Sequence, residues 1–259
     1  MTRLTTAQWD QRFRQQAGWT FSARHYLLEK AALGNEARIL DIGCGTGAVL
    51  AELASEFPRS VGIDINQEYL LWFREQSPRV LLTGADGYQL PFPVNSFDLV
   101  CCHFLLLWLK DPAAVIDEAI RVCKPGGILL VLAEPDYGGR IDHPPALQVL
   151  GEAQTQSLID QGADPYIGRK LAGIASSFSR LRDIEVGILG YQASLHDKNS
   201  FWEREWEILA DDIRDRFPTE DLEDLKRVDQ EARANGSRVL YVPTFYIQAK
   251  IAKEGSDEN

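Results

Sequence analysis

The chain has 259 residues, of which 45% are apolar, and a formal net charge of −11. This length and composition predict one large packed domain, or one domain with an inserted subdomain. The acidic charge disfavours a nucleic-acid partner or docking on anionic membrane, because both need basic protein surface. The N-terminus has no secretory signal and no apolar run reaches membrane-spanning length, so we expect a cytoplasmic protein without membrane insertion.

The four cysteines, Cys44, Cys101, Cys102 and Cys123, lie in apolar patterns and have no C-x-x-C spacing. We interpret them as reduced, mostly buried thiols. No histidines stand beside them at zinc-site spacing, so we expect no metal ion.

Apolar residues at near-helical spacing over residues 6–33 predict two short helices, broken at Gly18 and ended at Gly34. Five apolar runs then alternate with helical segments. The runs cover residues 38–42, 60–65, 80–83, 97–104 and 127–133, and the helices cover 48–57, 67–76 and 111–123. Asp111 is the expected N-cap of the last of these helices, with Pro112 in its first turn. Continuous apolar strands that alternate with helices predict a parallel sheet covered on both faces.

Beyond Glu134 this alternation stops at a segment rich in glycine and proline. The later elements are expected to be helices over 146–161, 166–178, 198–216 and 219–235, strands over 183–193 and 238–251, and a disordered tail over 254–259. The predicted fold is a doubly wound α/β domain with a mostly parallel seven-stranded sheet and an antiparallel last strand at or near its edge. An N-terminal helical cap takes residues 1–34. The main domain takes residues 35–259, with a helical insertion at about 140–182, after the fifth strand.

A glycine-rich loop follows the first strand, in the stretch I-L-D-I-G-C-G-T-G from Ile39 to Gly47. Glycines such as Gly43 and Gly45 let the backbone approach a ligand closely, and the next helix offers free N–H groups. The spacing G-x-G-x-G differs from the G-x-G-x-x-G of dinucleotide enzymes. Asp41 before the loop would repel a pyrophosphate, but its carboxylate suits the ammonium and sulfonium groups of S-adenosylmethionine (SAM).

Two further acids follow the second and third strands. Asp64 is placed to accept hydrogen bonds from both ribose hydroxyls, and Asp86 from an adenine amino group, with the Gly87 backbone near the ring. Each aspartate taken alone also fits a turn or cap residue. Parallel strands, however, bring Asp41, Asp64 and Asp86 to one sheet edge, where open α/β sheets bind ligands.

In chain order, four stretches have the sequences I-L-D-I-G-C-G-T-G, V-G-I-D-I, G-A-D-G-Y-Q-L-P-F-P-V-N-S-F-D-L-V and R-V-C-K-P-G-G-I-L-L-V. This series resembles the motifs of class I, Rossmann-like SAM-dependent methyltransferases, and most of all the ubiquinone/menaquinone-biosynthesis-type small-molecule enzymes. The resemblance covers residues 38–134. It implies SAM as cofactor, S-adenosylhomocysteine as product, a small-molecule methyl acceptor and no metal.

The resemblance also implies positions for the cofactor. It places the loop of Asp41, Gly43, Cys44 and Gly45 along the methionine moiety. It further implies Asp64 at the ribose, Ile65 at the adenine, Asp86 at the adenine amino group, and His103, just past the fourth strand, close to the cofactor.

The N-terminal cap offers two more candidates. Arg24 is a hypothetical partner of the cofactor carboxylate, and Trp19 a side chain that flanks it. The alternative is ordinary helix packing with a solvated arginine.

The acceptor pocket is expected in the loop that follows the fifth strand, because loops at this edge commonly carry function. Its candidate residues are Glu134, Asp136, Tyr137, Arg140 and His143. The alternative is that this segment is only a tight linker.

His103, His143 and Tyr137 are the catalytic candidates, and the two histidines are the best general bases because imidazole titrates near neutral pH. Trp202 and Trp206 stand four residues apart on one helix face. They are expected to be core residues, or else an aromatic wall for a flat or lipophilic acceptor.

The leading hypothesis is therefore methyl transfer from SAM to a small molecule. The alternatives are a non-catalytic SAM-binding protein, a protein or RNA methyltransferase, and an NAD-dependent oxidoreductase, the last disfavoured by the loop spacing and Asp41. The sequence leaves open a monomer or a homodimer, and it does not identify the acceptor atom.

Overall fold

The computed structural model describes residues 4–189 and 200–253. The α-helices in these ranges are α1 (Thr6–Trp19), α2 (Phe21–Ala31), α3 (Leu50–Glu56), α4 (Gln67–Gln76), α5 (Pro112–Val122), α6 (Gln148–Asp160), α7 (Leu171–Ser176), α8 (Ser200–Ile213) and α9 (Thr219–Ala234). The strands are β1 (Ile39–Ile42), β2 (Val61–Asp64), β3 (Leu81–Gly84), β4 (Phe97–His103), β5 (Cys123–Pro135), β6 (Ile141–His143), β7 (Leu181–Leu189), β8 (Val239–Tyr241) and β9 (Thr244–Ile251). The predicted strand end at 193, the helix start at 198 and the tail 254–259 lie outside the described residues.

The main sheet has seven strands in the order β3-β2-β1-β4-β5-β9-β7. Strands β1 to β5 are parallel, and β9 is antiparallel to both of its neighbours, β5 and β7. The predicted α/β fold with an antiparallel last strand is therefore confirmed, and that strand lies one position from the edge. The strand order reverses between β1 and β4, which places the ligand crevice at the carboxyl ends of these two strands.

The prediction of one strand over residues 238–251 was wrong. Its first part, β8, pairs with β6 in a separate two-stranded sheet, and β9 starts only at Thr244. Pro243 lies between them. It has no N–H to donate to a sheet, and its carbonyl accepts a hydrogen bond from Asp136 N at 2.8 Å. The chain therefore changes sheets at this proline.

Two of the predicted helix boundaries also shift. Helix α1 opens with a capping box between Thr5 and Gln8 and runs past Gly18 to Trp19, because the Thr20 N–H closes its last turn onto Ala17. The predicted helix over 166–178 is a 3₁₀ turn followed by the short α7.

The four helices that follow β5 come from two chain segments. Helices α6 and α7 lie between β5 and β7, whereas α8 and α9 lie between β7 and β9, beyond the predicted insertion at 140–182. A shared apolar cluster includes Leu147 and Leu150 before and within α6, and Trp202 and Trp206 of α8. The two indoles are only 8% and 6% exposed, so they are core residues and not an open aromatic wall. The predicted division at residue 34 remains a proposal.

Asp229 of α9 holds this group of elements together. Its carboxylate accepts hydrogen bonds from the Trp202 indole, from Arg233 Nε at 2.8 Å and from Arg238 Nε. Arg238 also donates to Asp142 Oδ1 at 2.8 Å, which connects α9 to β6. The side chains of Asp229, Asp142 and Arg238 are almost fully buried, so each charge depends on its partners.

Asp229→Ala is expected to lower the free energy of unfolding by about 3 kcal/mol, because it leaves a buried arginine and an indole N–H without their acceptor. Urea denaturation measures this loss. The control is Asp224→Ala, which removes an exposed ion pair with Arg227 on the same helix and is expected to cost less than about 0.5 kcal/mol. Equal effects of the two substitutions would contradict the role given to Asp229.

Candidate cofactor and acceptor site

The glycine loop turns at the carboxyl end of β1. Gly43 and Gly45 have φ values of +72° and +54°, a region that strongly favours glycine. The N–H groups of Gly43 and Cys44 both donate to Ile63 O at 2.9 Å, which fixes the loop against β2. A Cβ on Gly45 would lie 3.3 Å from the ring of Phe13. Helix α1 therefore covers this loop directly.

Asp64 ends β2 beside the loop. Its Oδ2 accepts from Gly45 N and its Oδ1 from Asn66 N, both at 2.8 Å. Burial nevertheless raises the pKa of Asp64 above its usual range. The next residue, Ile65, is 74% exposed, so an apolar side chain is available at the rim beside the carboxylate.

Asp41 lies behind the loop and is only 2% exposed. Its single hydrogen bond is a weak one, in which Cys101 Sγ donates from 3.9 Å. Burial, and then the charge of Asp64, raise the pKa of Asp41 to about 7. The charge of Arg24 lowers this pKa in part. Asp41 nevertheless has no ion pair among the described residues, so a cationic ligand group would be its direct counter-charge. The buried hydroxyl of Thr46 in the same loop also has no hydrogen-bond partner in the described structure, and both features fit the amino-acid end of SAM.

Asp86 and Gly87 follow β3. Asp86 Oδ1 accepts from Tyr88 N at 3.0 Å, which is the turn interaction expected of an isolated aspartate. A Cβ on Gly87 would lie 3.4 Å from the Ile42 side chain, so this turn approaches the end of β1. The adenine-binding role of both residues remains a prediction.

His103 ends β4, and its Nε2 lies 2.9 Å from Thr20 Oγ1, between α1 and α2. Burial, and then the positive charge of Arg24, lower the pKa of His103 to about 3. The imidazole is therefore neutral at physiological pH and a weak base. This arrangement favours a hydrogen-bonding role for His103 over proton abstraction.

Arg24 is 1% exposed. It donates to Glu52 from Nε at 3.1 Å and Nη2 at 2.5 Å, and its Nη1 donates to Ala17 O and Thr20 Oγ1. Four of its five N–H groups are thus used within the protein. Trp19, beside Thr20, is 54% exposed. The arginine is a buried helix-packing residue and not a solvated one, and its contact with a cofactor stays a prediction.

Glu134 is fully buried at the end of β5. Its carboxylate accepts from Leu105 N and Leu106 N at 2.9 Å and from Leu107 N at 3.2 Å. Burial raises the pKa of Glu134 to about 7. A bulge at Ala133, where φ is 58°, interrupts the pairing just before this residue. Glu134 therefore fixes the backbone of residues 105–107, which follow β4.

Most other polar side chains of residues 134–143 also have hydrogen-bond or ion-pair partners within the protein. Asp136 accepts from Gly138 N at 3.1 Å and pairs with Arg169 at 2.8 Å. Arg140 donates to Asp142 and Gln154, each at 2.5 Å. His143 is exposed on β6, where it pairs with Val239 of β8. These contacts agree with the linker alternative for most of the segment.

Tyr137 differs from its neighbours. It is half-buried and packs against the main core, and burial raises the pKa of its hydroxyl. The charges of Arg140 and Arg12 oppose this rise, and the charge of Asp212 adds to it. A catalytic or acceptor-binding role for Tyr137 stays a prediction.

Sequence reasoning missed the residues that cover the loop. Phe13 stacks on Trp9 with ring centroids 5.4 Å apart, and meets Tyr69 of α4 edge-on at 5.6 Å. The helical spacing of Phe13 and Ala17 predicts only that they share one face of a helix, and not what that face covers. Leu105 lies on Gly43, whose added Cβ would be 2.8 Å from Leu105 Cδ1. No sequence signal pointed to Leu105, because its position depends on Glu134.

Comparison with known proteins gives a family match over the same region. Residues 40–131 match a family model described as a methyltransferase domain. Methyltransferase str3 of Strobilurus tenacellus is 30% identical over 70% of this chain and 66% of its own length. The ubiquinone/menaquinone biosynthesis C-methyltransferase UbiE of Saccharophagus degradans is 34% identical over 42% of this chain and 47% of its own length.

Among solved structures, phosphoethanolamine N-methyltransferase 2 of Haemonchus contortus, in complex with S-adenosylhomocysteine, shares the fold. The TM-score is 0.57, with 17% identity over 93% of this chain and 57% of that one. The chain thus contains a methyltransferase domain and has the Rossmann-like fold of class I methyltransferases, which confirms the predicted resemblance. It spans about half the length of the curated relatives it matches.

Residues 4–189 and 200–253 contain no group of three or more side chains placed to hold a metal ion. No helix within these ranges is both long and apolar enough to cross a membrane. All four cysteines are buried and free, as predicted.

The raised pKa values of Asp41 and Glu134 predict a pH-dependent stability. As pH rises from about 4 to about 7, the unfolded chain releases these protons while the folded chain keeps them, so folding becomes less favourable. Chemical denaturation at several pH values should show this decline, and Asp41→Asn should reduce the slope. Asp183→Asn, at an exposed ion pair with Lys250, should leave the slope unchanged. A slope that Asp41→Asn leaves unchanged would refute the prediction.

Proposed function

We propose that this protein transfers the methyl group of SAM to a small-molecule acceptor and releases S-adenosylhomocysteine. The observation that carries the proposal is the buried carboxylate of Asp41, which forms no ion pair within the described residues and lies behind the glycine loop of a methyltransferase domain. The UbiE relative, a C-methyltransferase of ubiquinone/menaquinone biosynthesis, supports a small molecule as acceptor.

The residues around the loop would divide the cofactor between them. Asp41 would neutralise the ammonium group, and the backbone of the glycine loop would lie along the methionine part. Asp64 would accept from the ribose, with Ile65 against the adenine and Asp86 at its amino group. SAM supplies, when bound, a methyl group activated by a sulfonium charge.

The chain's own contribution to the reaction would be placement and exclusion of water. Phe13 covers the loop from α1, and Leu105 is held on Gly43 from the other side. His103, neutral and bonded to Thr20, would orient a polar acceptor group without removing its proton. Tyr137 would provide the second polar contact. Such a site suits an acceptor atom that is already nucleophilic, because in-line displacement then needs no general base.

Cofactor affinity should depend on the protonation of Asp41. Below pH 7 its carboxyl must lose a proton before it can neutralise a cation, so affinity for S-adenosylhomocysteine should rise by up to about tenfold per pH unit between pH 5 and 7. Calorimetry in buffers of different ionisation enthalpy should detect proton release on binding.

The matched variant is Asp41→Asn, which should bind more weakly at pH 7 and show a flat pH profile without proton release. Asp183→Asn is again the surface control. A pH-independent affinity in the wild type would contradict the role of Asp41, and an absence of binding to both SAM and S-adenosylhomocysteine would refute the proposed function.

Tyr137→Phe is expected to lower turnover of the best acceptor at least about tenfold, since it removes one hydrogen bond at the reacting group, while affinity for S-adenosylhomocysteine stays unchanged. The acceptor would come from a SAM-turnover screen over phenols, quinone precursors, amines and carboxylates. Tyr166→Phe, a nearby tyrosine that packs beside Arg169, is the control. Normal turnover by Tyr137→Phe would exclude this tyrosine from the acceptor site.

A further inference from the structure

Helix α1 is in contact with two separate parts of the molecule. On one side Phe13 lies on Gly45 and Thr20 bonds to His103, so α1 covers the glycine loop. On the other side Arg12 reaches α8. Helices α6, α8 and α9 form a helical subdomain around the apolar cluster that contains Trp202 and Trp206. Helix α1 thus lies between the glycine loop and this subdomain.

Arg12 and Asp212 form a two-pronged ion pair. Arg12 Nη1 donates to Oδ1 at 3.0 Å and Nη2 to Oδ2 at 2.8 Å, and the two side chains are 15% and 11% exposed. Parallel hydrogen bonds of this kind fix orientation as well as distance. The pair is therefore a directional link between α1 and α8.

Asp212 is held in place without Arg12. Gln154 Nε2 donates to its Oδ2 at 3.3 Å, and Ser157 Oγ donates to its carbonyl at 2.7 Å, both from α6. The α6–α8 pair also shares the tryptophan core described above. Asp212 thus belongs to a fixed surface, and Arg12 belongs to the element that docks on it.

One buried oxygen atom of α1 lacks a hydrogen-bond donor in the described structure. Asp10 is 8% exposed; its Oδ2 pairs with Arg14, but its Oδ1 has no partner in the described structure. A buried acceptor left without a donor disfavours the position that buries it. This position of α1 therefore depends on favourable contacts elsewhere, and the two-pronged Arg12–Asp212 pair is such a contact.

We propose that α1 is a lid over the cofactor crevice and that the Arg12–Asp212 ion pair is its latch. Since Phe13 covers Gly45, a ligand bound at this loop is released only when α1 moves away. The ion pair breaks in that motion and limits its rate. The identity of the ligand rests on the proposed function, whereas the latch itself does not.

Stopped-flow fluorescence with S-adenosylhomocysteine tests the latch. Trp9 stacks on Phe13 and lies 5.3 Å from the Arg12 guanidinium, so it reports on α1. Arg12→Ala should raise the association and dissociation rate constants together, by roughly tenfold, with little change in Kd. The charge-swapped pair Arg12→Asp with Asp212→Arg should restore slow exchange. Arg227→Ala, which removes an exposed pair on α9, should change neither rate.

Two results would overturn the latch. One is unchanged rates in Arg12→Ala. The other is a faster dissociation with unchanged association, which would make Arg12 only a stabiliser of the bound state. If the wild type binds no S-adenosylhomocysteine, the proposed function fails, and amide hydrogen exchange over residues 6–19 of the ligand-free protein then decides. Faster exchange in Arg12→Ala, reversed by the charge swap, supports the latch, and unchanged exchange refutes it.

Discussion

The charge of two neighbouring carboxylates organises the carboxyl edge of the sheet. Parallel pairing of β1 with β2 brings the buried Asp41 and the half-buried Asp64 to adjacent strand ends. Asp64 accepts from two backbone N–H groups, whereas the side-chain hydrogen bond that Asp41 makes within the described residues comes from a thiol. Two carboxylates with so few donors would favour a cationic ligand over a pyrophosphate at this edge. The glycines of the loop would let the backbone approach such a ligand closely.

A third buried carboxylate, Glu134, has a different role because its surroundings differ. Three successive N–H groups face it, so it organises the backbone after β4 and needs no ligand. The segment that looked richest in chemistry is therefore largely internal scaffolding. Charged residues on a loop at the functional edge are thus not by themselves evidence of substrate contact.

Much of the fold and of the cofactor side of the site follows from local sequence. Apolar runs of strand length, glycines after the first run, and acids after the next two are each set by short-range chemistry. The orientation of the Glu134 side chain could not be predicted in this way, because it depends on a single bulge at Ala133. The cover formed by Phe13 and the pairing of Arg12 with a residue 200 positions away depend on tertiary packing. A period-3.6 pattern shows which face of a helix is apolar, but not which partner that face meets.

The helical subdomain is built from segments on both sides of β7, with α6 before this strand and α8 and α9 after it. Its apolar centre exists only when both segments are present. The subdomain is therefore not encoded by one continuous stretch of sequence that recombination could exchange. A chimera that exchanged only residues 140–182 with a relative would join two half-cores of different origin, and it is expected to unfold more easily than either parent.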